Sequence, residues 1–344
     1  MPRSTRREFL TTTGATAATL ATAGLPLAGE AAAAEQEAAA AAKPPIPRRR
    51  LGRTGMQVSV LGLGCGSQFL SLGSDEATTA MVHAAMDGGV NYFDSAWNYG
   101  NGNSLRKLGL ALESDGRRKK VYVTSKSQRR ERDVALRELE GSLKHLKTDY
   151  IDLFQIHLIS PNEDLEALLG KDGVYQMLVK QKEQKVIRHI GITGHLAARN
   201  MKTLVERMEH LDTVLCPVNP KKDSRHYLRA YDDANPDGHF EELLLPAARA
   251  KNLGIIAMKV MAQGDIVGTG PGKADAATLF RWAASEPGVA TCIIGPGSME
   301  YLRDNIATAQ KFTPLPQADR AKLVAHVNRV PHQFAYERAD YAGS

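Results

Sequence analysis

Short β-branched runs alternate with segments of helical period along most of this chain, from about residue 58 to residue 310. The runs at 58–64, 90–94, 120–126, 150–157, 187–193, 213–218, 254–260 and 290–294 predict strands. Between and after them, the segments 74–86, 105–112, 133–146, 174–184, 200–209, 240–251, 274–286 and 298–310 predict helices. In 133–146 the residues Leu136, Leu139, Leu143 and Leu146 form one stripe. In 74–86 the apolar set is Ala77, Met81 and Ala85, stopped by Gly88-Gly89.

Strand followed by helix, repeated eight times, is the pattern of βα units built on a parallel sheet. Closure leaves no strand edge exposed, so the economical architecture is α/β, a single-domain (β/α)8 TIM barrel over about 48–313, with 314–344 as a C-terminal segment over or beside it. A doubly wound nucleotide fold is the rival, on the strength of Gly62-Leu63-Gly64-Cys65-Gly66-Ser67 after a strand. That fold needs a third glycine leading straight into a helix. Here Ser67 takes the glycine's place and 68–73 intervene, which argues against it.

The first 47 residues have no such periodicity. Thr5-Arg6-Arg7-Glu8-Phe9-Leu10 precedes a mildly apolar stretch rich in Ala and Thr, then small residues to Ala34. The sequence 1–34 resembles a twin-arginine (Tat) signal peptide, which predicts recognition by the Tat export machinery and a periplasmic or secreted product. Its several Thr and Gly make it a poor membrane anchor, since a spanning helix takes about 20 predominantly apolar residues. Residues 35–47 read as a low-complexity Ala/Pro linker.

Formal charge is +6 over 344 residues, and residues 1–50 supply seven Lys/Arg against four Asp/Glu, or +3, half of that excess. A nucleic-acid footprint would put basic residues on the folded face, so none is expected. The dense run Arg48, Arg49, Arg50 and Arg53 reads as a solvated arm. Cys65, Cys216 and Cys292 are widely spaced with no C-x-x-C pair, indicating neither a disulfide framework nor a zinc site.

Chemistry concentrates at the carboxyl ends of three consecutive strands, NYFD, VYVTSK and IDLFQIH, where Asp94, Lys126 and His157 stand, with Tyr99 just beyond the first. Barrels build active sites from such strand ends. A tyrosine hydroxyl can protonate a developing alkoxide if its pKa, about 10 when unperturbed, is lowered. Lys126 beside it would favour the phenolate, Asp94 would hold the ammonium charged, and an imidazole N–H of His157 would orient a carbonyl. Hydride has to come from a cofactor, because no side chain donates one. Taken singly, each of the four residues is better explained as a rim, cap or interior residue; it is their order together that points to chemistry.

The segments RRRLGRTGMQVSVLGLGCG, GGVNYFDSAWNYGNG, VYVTSKS, LEGSLKHLKTDYIDLFQIH, VIRHIGITGH, LGIIAMKV and CIIGPGSMEYLRDNI, in this order, make the chain resemble the aldo-keto reductases over 48–310. The resemblance implies catalytic roles for Asp94, Tyr99, Lys126 and His157. It also implies an extended nicotinamide nucleotide across the barrel mouth, NADP(H) in the first place, with NAD(H) a second candidate. Gly64 and Cys65 would lie beside it, with Asp94, Thr193, Gly194 and His195 near the nicotinamide end. Met261 to Gly264 would line the pyrophosphate. Gly295, Ser298 and Asn305 would serve the adenosine end, Ser298 as the N-cap of a helix whose free N–H groups favour a phosphate.

The chain departs from the family pattern in two places. Gly295-Pro296-Gly297-Ser298 stands where many members have a basic residue for the 2′-phosphate, with only Arg303 close by. Leu215 and Val218 stand where a Gln and an aromatic usually embrace the nicotinamide. The expected activity is reduction of small aldehydes or ketones, and the alternative is a nucleotide-binding redox sensor or partner-binding barrel with little turnover. Specificity in this fold lies in mouth loops, here 159–173, 221–239 and 314–344, with His226, Tyr227, Tyr231, His332 and Phe334 among their contents.

Overall fold

A computed structural model describes residues 44–221 and 238–329. The leader 1–34, linker residues 35–43, and His226, Tyr227, Tyr231, His332 and Phe334 lie outside the described residues. The chain enters through a hairpin of β1 (Arg48–Arg50) and β2 (Gln57–Ser59), then runs through β3 (Leu61–Gly64), α1 (Ser67–Leu70) and α2 (Asp75–Asp87). It continues with β4 (Tyr92–Asp94), α3 (Asn103–Leu112), β5 (Tyr122–Ser127), α4 (Arg132–Leu146), β6 (Ile151–Ile159), α5 (Leu165–Leu169) and α6 (Val174–Glu183). Next come β7 (Ile187–Gly194), α7 (Ala198–Arg207), β8 (Leu211–Pro217), α8 (Phe240–Ala250) and β9 (Gly254–Met258). Last are α9 (Ala276–Ala284), β10 (Val289–Ile294), α10 (Met299–Gln310) and α11 (Gln317–Val327).

The eight strands β3 to β10 pair in sequence, all parallel, and β10 returns to β3 to close the barrel. Alternation along each strand divides the apolar residues between two cores. Outward residues such as Phe93, Val123, Phe154, Ile192 and Val214 pack with Met81, Leu108, Leu139, Leu178 and Leu204 of the surrounding helices. Inward residues Tyr92, Leu153, Leu215, Ile256 and Ala290 meet Leu51, Met56 and Val58 of the entry hairpin. The hairpin therefore plugs the amino-terminal end of the barrel, leaving the carboxyl ends of the strands as its mouth.

That plug changes the reading of the arginine run. Arg49 gives both its bonds from Nη1 to the carbonyls of Ala284 and Val289, at 2.7 Å each, and lies 5.0 Å over the Phe312 ring. Arg53 donates to the Glu209 carbonyl at 2.8 Å and pairs with Asp212. A helix leaves its last carbonyls without partners, and Arg49 satisfies one at the end of α9. Arg49 and Arg53 therefore lock the barrel floor, whereas Arg48 and Arg50 are exposed as a solvated arm would be. Strand one also differs from expectation: Val60 breaks 58–64 into β2 and β3, its N–H going to Pro47 O at 3.0 Å. The C-terminal segment carries α11, held through Trp282 Nε1 to the Arg320 carbonyl at 3.1 Å and Asn328 Nδ2 to the Pro220 carbonyl at 2.8 Å.

Gly62 on β3 and Gly191 on β7 stand on opposite sides of the ring of eight, and both face inward. A Cβ at Gly191 would lie 2.4 Å from Thr213 Oγ1 and 2.9 Å from Gln155 Cγ. Close-packed interiors do not absorb such overlap freely. Gly191→Ala is expected to cost roughly 2 kcal/mol in urea unfolding; an unchanged midpoint would mean that the interior has slack there.

Candidate active site

Period-two alternation turns Tyr92 and Asp94 of β4 inward together, as it does Thr124 and Lys126 of β5 and Gln155 and His157 of β6. The loop after β4 then has to bring Tyr99 back over the mouth. It does so as a series of tight turns: Trp97 N–H bonds Lys126 O at 3.0 Å, Tyr99 N–H bonds Ala96 O at 3.2 Å, and Gly102 N–H bonds Trp97 O at 2.6 Å. Gly102 sits at φ 84°, a conformation glycine adopts without strain. The Trp97 ring is seated on α4 at Gly141, where a Cβ would come within 2.4 Å of it.

Asp94, Lys126, Tyr99 and His157 converge at this mouth. Lys126 is fully enclosed, and its Nζ donates to Asp94 Oδ1 at 2.5 Å and to the Ser95 carbonyl at 2.7 Å. Thr124 gives its hydroxyl to Asp94 Oδ2 at 3.0 Å. The ammonium lies 5.1 Å from the centre of the Tyr99 ring, and the His157 ring meets the same phenol edge-on at 5.9 Å. Burial works against the Lys126 charge, but Asp94, and after it Tyr99, outweigh burial and hold its pKa above the ordinary lysine value. His157 is held well below the usual imidazole range, first by burial and then by the Lys126 charge, so it is neutral at physiological pH.

Three participants carry no sequence signal that separates them from ordinary surface residues. Asn98 places Oδ1 3.0 Å from His157 Nδ1. In that arrangement the ring hydrogen is on Nδ1 and goes to Asn98, and turning the amide over reverses the roles. Arg130 donates through Nη2 to the carbonyls of His157 and Leu158, both at 3.1 Å, and is paired with Glu163. It pins the strand end where Leu158 takes φ 58°, a strained setting for a leucine. Lys259, just past β9, is the third, and its charge is felt at His195 and His157.

The remaining candidates, Asn305 on the outer helix excepted, follow the carboxyl ends of strands around the same mouth. Gly64 ends β3 so close to β10 that a Cβ would lie 3.1 Å from Gly295 N. Cys65 is buried, its N–H on the Asp94 carbonyl at 2.8 Å, and burial raises its thiol pKa. Thr193 already accepts the Leu158 N–H at 3.0 Å. Gly194 has Met201 Sδ where its side chain would be, at 2.5 Å from the Cβ position. Met261 leads into a short 3-10 turn over Ala262–Gly264, with Gly264 at φ 98°. Ser298 caps α10 by accepting the Tyr301 N–H at 3.2 Å, and Asn305 lies on that helix beside Pro296 and Leu302. Leu215 belongs to the barrel interior, below the mouth.

Residues 61–278 match the sequence profile of the Aldo/keto reductase family. The chain belongs to that family. "Aldo-keto reductase YhdN" of Bacillus subtilis is 34% identical over 179 residues, covering 48% of this chain and 52% of that protein. "Aldo-keto reductase yakc [NADP(+)]" of Schizosaccharomyces pombe is 31% identical over 162 residues, covering 43% and 45%. The chain thus spans about half the length of these two curated relatives. The aldo-keto reductase AKR11C1 from Bacillus halodurans, in its holo form, superposes with a TM-score of 0.64 at 19% identity, covering 84% of this chain and 99% of that one, which establishes the shared fold.

This aldo/keto reductase holds a buried imidazole, His157, and a half-buried one, His195, at its mouth, and their acid-base behaviour bears on stability. Burial, then Lys259, lowers His195 to about 3, and His157 is depressed in the same sense. Unfolded imidazoles titrate near pH 6.5, so below that pH the unfolded chain binds protons the folded one refuses. The stability these two confer is complete above about pH 6.5 and is lost as pH falls toward the folded values. The thermal midpoint is expected to drop between pH 7.5 and pH 4.5, with a shallower drop in His195→Gln. Equal slopes in the two proteins would refute the assignment to His195.

Proposed function

We propose that this protein reduces the carbonyl of small aldehydes or ketones to an alcohol, with NADP(H) as the hydride source and Tyr99 as the proton donor. One observation carries the reading: an ammonium fixed by a buried carboxylate lies 5.1 Å from the centre of a phenol ring that also meets a neutral histidine. When bound, a reduced nicotinamide supplies the hydride that no side chain can. The chain's own residues handle the proton and the carbonyl. Asp94 keeps Lys126 charged in a dry setting. The Lys126 charge lowers the cost of a phenolate as the Tyr99 hydroxyl passes its proton to the developing alkoxide. His157 offers an N–H at Nε2 to the same oxygen when Asn98 turns its amide to donate at Nδ1.

The residues fit a dinucleotide unevenly. Support comes from the α10 terminus, where Ser298 leaves first-turn N–H groups and the helix dipole for a phosphate. Gly64, Gly264 and Gly295 would let backbone approach the nucleotide closely. The nicotinamide end departs from the family pattern, because Gly194 has no side chain to reach a carboxamide and Leu215 points into the barrel. NADP(H) is preferred for the cofactor that one relative's name prints, with NAD(H) the weaker ligand. The paired arginines and small-residue stretch of 1–34 support the companion proposal of Tat-dependent export to the periplasm or medium.

Purified full-length protein is expected to oxidise NADPH in the presence of 4-nitrobenzaldehyde. Tyr99→Phe should lower kcat by about 10²- to 10⁴-fold while NADPH binding, followed by fluorescence, stays within a factor of about three of wild type. A Tyr99→Phe enzyme of undiminished rate would end the reading. Replacing Arg6 and Arg7 by Lys should retain the protein in the cytoplasm, as fractionation and immunoblotting would register; unaltered export would remove the Tat proposal.

A further inference from the structure

The turn that brings Tyr99 over the mouth also carries Asn98, half-buried and 3.0 Å from His157 Nδ1. The backbone on both sides of Asn98 is tied down, Trp97 N–H to the Lys126 carbonyl at 3.0 Å and Tyr99 N–H to the Ala96 carbonyl at 3.2 Å. Its partner is held as firmly. Arg130 binds the His157 carbonyl at 3.1 Å, and the histidine is almost wholly enclosed. Amide and imidazole therefore stay opposite each other, and the freedom left between them is which end of the amide faces Nδ1. Oδ1 stands there in this structure, and a half-turn of the amide puts Nδ2–H in its place.

That freedom matters because this imidazole has a single hydrogen. Burial comes first, and the charges of Lys126 on β5, Arg130 beyond it and Lys259 past β9, with His195 past β7, act in the same sense, so the ring stays neutral. Asp94 and Glu163, the carboxylates next to these cations, are engaged by Lys126 and Arg130. Among the described residues, Asn98 is the one hydrogen-bond partner of the ring. In a neutral imidazole the bond made at one nitrogen decides where the hydrogen lies. An acceptor at Nδ1 keeps the hydrogen there and leaves a lone pair at Nε2, whereas a donor at Nδ1 sends it to Nε2.

A carbonyl oxygen, and still more the alkoxide it becomes, is stabilised by a donor and repelled by a lone pair. An amide can donate at Nδ1 without adding charge. A carboxylate in the same place only accepts, and it would draw a second proton onto the ring and make its state depend on pH.

We infer that Asn98 is a positioning residue for the reduction: it donates its amide N–H to His157 Nδ1, so that the single ring hydrogen lies on Nε2 and meets the carbonyl oxygen that Tyr99 protonates. The inference rests on the reductase reading above and adds the residue that decides whether His157 can take part. One turn then delivers the proton through Tyr99 and, through Asn98, the donor that steadies the oxygen receiving it.

Full-length protein labelled with nitrogen-15 at histidine tests this directly, free and loaded with NADPH, because a ring nitrogen that carries hydrogen and one that does not resonate far apart. Signals lost in His157→Gln identify the ring. Wild type should show the hydrogen on Nε2, and Asn98→Asp should move it to Nδ1 or charge the ring. Hydrogen on Nδ1 in wild type, or an unaltered ring in Asn98→Asp, overturns the inference. With NADPH and 4-nitrobenzaldehyde, Asn98→Leu should lower kcat by about 10- to 100-fold, the NADPH dissociation constant staying within about threefold. Asn98→Asp should be as slow at about pH 8 and recover as pH falls to about 6, since a charged imidazole carries hydrogen on both nitrogens; Asn98→Leu should show no such recovery. Undiminished kcat in Asn98→Leu, or parallel pH profiles for the two variants, would overturn the inference and leave the chemistry of Tyr99 standing. If wild type reduces no aldehyde, the reductase reading fails, and the nitrogen resonances still decide what Asn98 does to the ring.

Discussion

The ion pair between Lys126 and Asp94 governs the arrangement of everything at the mouth. Two opposite charges taken fully out of water are tolerable only when geometry and additional hydrogen bonds offset their lost hydration. Here the second carboxylate oxygen takes the Thr124 hydroxyl and the ammonium takes the Ser95 carbonyl. Those demands fix the backbone after β4. The same turn that supplies the Ser95 carbonyl leads, four residues later, to Tyr99. The phenol stands beside the ammonium because the chain that satisfies the ammonium has nowhere else to go.

Support for that turn comes from packing some distance away. Trp97 lies on α4 only because position 141 has no side chain, and α3 approaches α4 closely only because Gly109 has none: a Cβ there would meet the His145 carbonyl at 2.2 Å. On the other flank, Arg130 and Glu163 hold the strained end of β6, and Thr193 takes the Leu158 N–H. The residues with candidate chemistry are thus few, while the residues that aim them belong to neighbouring helices and loops. Proposed catalysis and observed packing meet at these contacts.

The barrel was legible in the chain because period-two and helical-period segments alternate without interruption; α6 and β7, for instance, end within a residue of where the pattern places them. The convergence of Asp94, Lys126 and His157 was legible for the same reason, since strand ends share a mouth. Arg49 and Arg53 misled, because local composition cannot tell a solvated arginine from one satisfying a distant helix carbonyl. Asn98 and Arg130 stayed hidden on similar grounds. Their importance lies in a partner that only the folded chain brings into view. Val60 and α11 escaped because a single non-pairing residue and a short docked helix leave little periodic trace.

The hairpin plug has one more implication. With Leu51, Met56 and Val58 filling the floor, the cylinder is a vessel with a single door. Any molecule admitted, any water expelled and any hydrogen ion restored to the phenol all have to travel through one opening. Refilling the proton donor and clearing the vessel therefore compete for the same passage, and the loops around the rim set the tempo of both.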